Sequence, residues 1–118
     1  MASIAAALHD LLNERDLTVE DALSRHFTDD FHQSTDGDWI GRAELADRMN
    51  QLRLVVDRAE IRVIDELANG SDYAERHVLS ATLRDGSTMA QEVFLFAQIA
   101  ADGRFGSLEE LVRPLSGA

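Results

Sequence analysis

Four histidines and 22 acidic residues are the side chains here that can move protons, since the chain has no cysteine. His32 sits in Phe31-His-Gln33, a segment that reads as a short strand, and His77 follows Arg76 in a longer one. Either ring could shuttle a proton inside a pocket, and His32 is the first candidate. If Arg76 faces inward, strict alternation turns His77 outward. Glu109 and Glu110 adjoin near the end of the last strand, so they point to opposite faces. An acid enclosed in an apolar pocket has its pKa raised and becomes a proton donor near neutrality. Glu109 is the candidate for that role, and the competing reading is a surface carboxylate paired with an arginine. Asp36 follows the first strand as a further acid or as simple turn chemistry in Asp36-Gly37-Asp38. Arg76 is placed to orient or polarise a ligand oxygen. Trp39, after a polar loop and before a helix, is expected at the rim of a pocket. The catalytic candidates are thus His32, Glu109 and Asp36, and the ligand-binding ones Trp39 and Arg76.

Metal and cofactor chemistry find no support in the same residues. No two histidines have a ligand spacing, and thiolate sites need cysteine. Asp36-x-Asp38 fails as a calcium loop, because Ile40 and Asp47 stand at its fifth and twelfth positions. There is no glycine-rich dinucleotide fingerprint, so no cofactor is expected.

These side chains must be positioned by one core: 118 residues with 45% hydrophobic content are the size and composition of a single domain, spanning 1–118. The net charge is −11, and all 11 basic residues are arginines scattered along the chain. Such a surface repels phosphate backbones and anionic membranes, so neither nucleic acid nor membrane is an expected partner. The N-terminal apolar stretch is short and lacks a basic flank, and no apolar run approaches the roughly 20 residues of a membrane span. The expectation is a cytoplasmic protein.

Ile4, Leu8, Leu11 and Leu12 recur at helical spacing, and Thr18 caps a second helix with Val19, Ala22 and Leu23 on its inner face. From Thr28 to Ile40 the chain is polar and turn-rich, with a short strand at Phe31–Gln33. A third helix after Gly41 carries Leu45, Met49, Leu52 and Val56 on one face. Strands follow over 59–68, 73–84, 89–100 and 104–112, separated by Asn69-Gly70, Asp85-Gly86 and Asp102-Gly103 turns. Phe94-Leu-Phe96 reads as buried on both faces. Helices grouped first and hairpin-linked strands last define an α+β fold with a mostly antiparallel sheet.

This order, with Phe27-Thr-Asp-Asp30, Trp39-Ile-Gly-Arg42, Ala74-Glu-Arg76 and Asp102-Gly-Arg-Phe105, resembles the nuclear transport factor 2-like superfamily in its SnoaL-like, polyketide cyclase-like branch. The resemblance covers nearly the whole chain. It implies a cone: three N-terminal helices packed on a curved sheet around a pocket, and homodimers formed through the outer sheet face. Val93, Leu95 and Ala97 are the strand parity expected to supply that surface.

The family's chemistries can be tested against the residues. The epoxide hydrolase pattern matches at Arg76 but has Val78 and Arg113 where it needs carboxylates, and is excluded. Arg113 also takes the late acid position of the cyclases, leaving Glu109 or Glu110 to serve. Ketosteroid isomerase chemistry is matched only near Asp36, the lone Tyr73 lying far from the expected place. The expected function is a pocket protein for a small apolar or aromatic ligand, with acid–base isomerisation, cyclisation or hydration as its reaction. The alternative is a non-catalytic homodimeric domain whose pocket is filled by its own side chains.

Overall fold

Hydroxyl caps start the first two helices. In a computed structural model describing residues 2–115, the Ser3 hydroxyl accepts the Ala6 N–H (3.2 Å) ahead of α1 (Ile4–Leu12). Thr18 accepts the Asp21 N–H (3.0 Å) ahead of α2 (Val19–His26), the cap expected from sequence. The chain continues as β1 (Phe27–Thr35), β2 (Asp38–Gly41), α3 (Arg42–Val55), β3 (Val56–Asn69), β4 (Asp72–Leu83), β5 (Thr88–Ile99) and β6 (Phe105–Pro114).

The six strands form one sheet in the order β2-β1-β6-β5-β4-β3. Every neighbouring pair is antiparallel except β1 and β6, which run parallel. This is the expected α+β class, three helices on a curved sheet. Register shifts interrupt the β1–β6, β3–β4 and β5–β6 pairings, and irregularities of this kind bend strands. The core joins Leu11, Leu12, Leu23, Phe31, Tyr73, Val93 and Phe105 under α1 and α2.

Three local expectations change. β1 starts at Phe27 rather than Phe31, because Phe27 and Phe31 are both buried and their rings pack 4.4 Å apart. The segment before Trp39 is a tight hairpin into β2, with Asp36 and Gly37 at φ +51° and +93°, the left-handed pair of a two-residue turn. Val56 leaves the third helix and opens β3, its N–H closing back on Leu52 as the cap.

Helices and sheet are tied at β3 by side chains that imitate backbone. The Asn13 amide donates to the Ala59 carbonyl and accepts the Ala59 N–H, both at 2.8 Å, extending the β3 edge as another strand would. From α3 the Arg53 guanidinium donates to the carbonyls of Leu11 (2.6 Å), Leu17 (2.6 Å), Asp10 (3.0 Å) and Glu14 (3.3 Å). The Asp10 and Leu11 carbonyls end α1 and have no partner within the helix, and those of Glu14 and Leu17 belong to the link to α2, so one fork ties the helix end and the link together. Asn13→Ala leaves two part-buried backbone groups unpaired, and we expect it to lower unfolding stability by about 2 kcal/mol in urea titration, at roughly 1 kcal/mol per bond.

Candidate functional site

The apolar face of α3 packs on the core at Leu45 and is progressively less covered beyond it. Of the residues on it, Leu45 is buried, while Met49 is half-buried and Leu52 is exposed. Together they roof a cavity of about 410 Å³ between α1, α3 and the inner sheet face. Ile4, Leu8 and Leu11 close it on one side, and Val93, Leu95, Leu108 and Val112 line the sheet. The helical periodicity was therefore real, and the face it makes meets the core at Leu45 and lines the cavity along its length. No side chain fills that space: Phe27 lines it, whereas Trp39, Phe94 and Phe96 lie elsewhere.

The polar groups of the cavity come from strand parity. On β4 the odd residues Tyr73, Glu75, His77, Leu79 and Ala81 are buried. His77 thus faces inward and Arg76 outward, the reverse of the sequence expectation. Tyr73 buries its hydroxyl between the Ile4 N–H, which it accepts at 3.3 Å, and the Glu66 carboxylate, to which it donates. Burial and the Glu66 contact push its pKa well up, so this phenol is a structural donor. His77 and Glu75 have side chains 2% and 0% exposed, with His77 Nδ1 2.6 Å from Glu75 Oε1. A carboxylate only accepts, so with Glu75 ionised it is His77 Nδ1 that carries the hydrogen between them. His77 itself is among the lining residues of the cavity.

Glu110 faces the same space from β6. The pairings Glu66–Glu75, Glu75–Leu95, Leu95–Glu110 and Thr35–Glu110 make one row across the inner face of five strands. Thr35 donates its hydroxyl to Glu110 Oε1 at 2.9 Å. Burial pushes the Glu110 carboxyl above its ordinary 4.5. The Thr35 bond and the His77 ring act against that rise, and the Asp36 and Glu75 carboxylates add to it.

Five residues were expected at this site, and one reaches it. Asp36 lines the cavity mouth, although its Oδ1 accepts the Val112 N–H (3.0 Å) and its N–H bonds the Glu110 carbonyl (2.9 Å), so it also fastens β1 to β6. Glu109 is exposed on the outer face, opposite Phe96. The reason is the β1–β6 register shift after Phe105: Phe105 and Leu108, three apart, both face the core, which turns Glu110 inward and Glu109 out. Arg76 pairs with Asp65 (2.9 Å) on the outer face and lies 5.6 Å from the Phe94 ring centre. His32 and Trp39 stack at 5.4 Å on the face of the β1–β2 hairpin opposite Gln33 and Thr35, which line the cavity. Trp39 is accordingly no pocket rim. The outer sheet face exposes Phe94, Phe96 and Leu111, while Val93, Leu95 and Ala97, expected there, are buried inside.

Sequence reasoning missed His77 as the inward ring and Glu75 as its partner. The only available signal was their i, i+2 spacing with Tyr73 and Leu79 on one strand parity. Among the described residues no group of three histidine or acidic side chains converges to hold a metal ion, and no helix is long and apolar enough to cross a membrane.

No protein-family model matches the chain, and no curated protein matches it. Solved structures do. AclR of Streptomyces galilaeus, provisionally named a hydroxylase, superposes with a TM-score of 0.72 at 13% identity, over 92% of this chain and 73% of its own. IdmH of Streptomyces antibioticus, provisionally named a polyketide cyclase, gives 0.71 at 13% identity over 92% and 88%. A nuclear transport factor 2-like protein of unknown function from Exiguobacterium gives 0.68 at 18% identity over 93% and 96%. These likenesses establish the fold: it is the nuclear transport factor 2-like one.

Glu110 also makes a prediction about stability. Its folded-state pKa is raised, so the folded protein favours the neutral acid. That contribution is present below about 4.5, its ordinary value, and is lost as pH rises through the raised one. Glu110→Gln should melt with wild type near pH 4 and roughly 3 °C or more above it at pH 8. Equal melting temperatures at both pH values would remove the buried-acid assignment.

Proposed function

We propose that this is a small-molecule pocket protein, working in the cytoplasm, that carries out acid–base chemistry on an apolar or aromatic ligand. Isomerisation, cyclisation and hydration are the reactions its residues suit. The observation supporting this is an apolar cavity with His77 on its wall, held at Nδ1 by the buried Glu75 and faced by Glu110. Catalysis of proton transfer needs a base with a fixed tautomer, a space that excludes water, and a second polar group for the ligand. His77 moves the proton, Glu75 positions it, and Glu110 holds the ligand's polar group. Solved proteins of this fold provisionally named hydroxylase and polyketide cyclase lend the reading a chemical context without fixing the reaction. The absence of cysteine suits a reducing compartment.

A probe that does not presuppose the substrate tests the base. 5-Nitrobenzisoxazole is a neutral aromatic that opens to a coloured phenolate when its C–H proton is removed. The protein should open it faster than equimolar imidazole. His77→Gln should abolish the acceleration, and Glu75→Gln should reduce it at least about tenfold. Arg76→Ala and His32→Ala should leave it unchanged, since both side chains lie outside the cavity. A rate no better than imidazole would end the catalytic reading.

The outer sheet face supports a homodimer as the working form. Phe94, Phe96 and Leu111, exposed by 43%, 52% and 64%, adjoin on β5 and β6. The Arg76–Asp65 and Arg113–Glu92 ion pairs lie on the same face. An apolar centre with charged flanks is how a self-complementary interface is built. Sedimentation at micromolar concentration should give a dimer, and Phe96→Glu a monomer. A monomeric wild type would refute the dimer.

A further inference from the structure

The titratable side chains around the cavity are mostly acids. Glu75 and Glu110 share the inner row on either side of Leu95, and Asp36 stands at the mouth. Among the described residues that line the cavity, the basic ones are His77 and Arg48, and Arg48 is exposed and already paired with Glu44 at 2.9 Å. Among the described residues no arginine side chain bonds Glu75, Glu110 or Asp36, and the sequence has no lysine. Glu75 Oε2 is buried on the inner face without any hydrogen-bond partner. An unpaired oxygen there is costly, and the usual remedy is a positive charge close by.

One carboxylate oxygen is free for a guest, and the hydrogen-bond chain identifies it. The Gln33 amide donates to the Thr35 hydroxyl at 3.3 Å, and Thr35 passes its single hydrogen to Glu110 Oε1 at 2.9 Å. Among the described residues none bonds Glu110 Oε2, and Glu110 lines the cavity. Burial together with the charges of Asp36 and Glu75 disfavours a second negative charge at that point. A positive guest reverses the balance, because opposite charges attract strongly where water is excluded. An anionic guest meets the same carboxylates as repulsion.

We propose that the cavity binds an amine: a compact ligand with an apolar or aromatic body and a protonated nitrogen held by Glu110 Oε2. The body lies against Leu11, Val93, Leu95 and Leu108. The proton count balances in either state of the acid: where Glu110 carries a proton, a cationic amine displaces it to solvent and a neutral amine takes it up, and where Glu110 is ionised the cationic amine pairs with it directly. His77 remains free for proton transfer elsewhere on the ligand. This inference rests on the reading of the cavity as the ligand site, and it names the class of ligand. Carboxylates, phosphates and their conjugates are excluded as cargo.

Three molecules of similar size separate the possibilities by calorimetric titration at pH 7.5: 2-phenylethylamine, 3-phenylpropan-1-ol and 3-phenylpropionate. The amine should bind at least about tenfold more tightly than the alcohol, with the carboxylate weakest. Glu110→Gln, confirmed as folded by circular dichroism, should lose about tenfold or more for the amine and less than about twofold for the alcohol. Glu109→Gln, altered on the outer face, should change neither. An alcohol that binds as well as the amine overturns the cation proposal and leaves the ligand cavity standing. A carboxylate that binds most tightly also overturns it and moves the anchor to Arg48. Binding by none of the three overturns the cavity reading and this proposal with it.

Discussion

The position of α3 over the sheet depends on polar ties at its C-terminal end as well as on the apolar contact of Leu45 near its start. Arg53 fixes the last turn of α3 to four carbonyls around the end of α1, and Asn13 fixes the following chain to Ala59 of β3. Arg15 adds bonds to the carbonyls of Arg53 (3.2 Å), Val56 (2.5 Å) and Asp57 (3.0 Å). These ties set where the helix leaves the sheet. Directional bonds to backbone hold a distance in a way that apolar contact alone does not, since apolar contact is gained by closing gaps. The interior therefore keeps a space large enough for a ligand beside a well-packed core.

What the chain announces and what it conceals divide along physical lines. Local chemistry was legible. The Thr18 cap, the Asn69-Gly70 turn and the alternating strands gave element order and class before any coordinates. Each depends on residues within a few positions of one another. Facing was not legible, because it depends on register. A single irregularity after Phe105 exchanges Glu109 for Glu110, two residues of identical type. On β4 the inward set mixes Glu75 and His77 with Tyr73, Leu79 and Ala81, and the outward set includes Ala74 and Val78, so hydrophobicity marks the inner side only weakly. The candidate site inherits that ambiguity, and only Asp36 reached it as expected.

The buried Glu75–His77 pair stands out in a core otherwise built from aliphatic and aromatic side chains. Replacing such a pair by apolar residues of equal volume is often neutral or stabilising in other proteins. A domain with this much apolar burial does not need it to fold. The pair makes better sense as part of a working surface than as part of the scaffold, and its place on the cavity side of the sheet agrees.

The parallel pairing of β1 with β6 sets a timetable for the chain. Phe27 meets Phe105, and Thr35 meets Glu110, so the first strand to be synthesised can bind its inner neighbour only after the last has emerged. Until then β1 has only the four-residue β2 as a partner, and Phe27 and Phe31 lack Phe105. Contacts this distant in sequence carry a loop-closure cost and slow folding. The β3–β4–β5 meander, formed from successive hairpins, is the part able to assemble while synthesis continues. Completion of the sheet, and with it of the Thr35–Glu110 bond inside the cavity, thus waits for β6, the last of the six strands to be made.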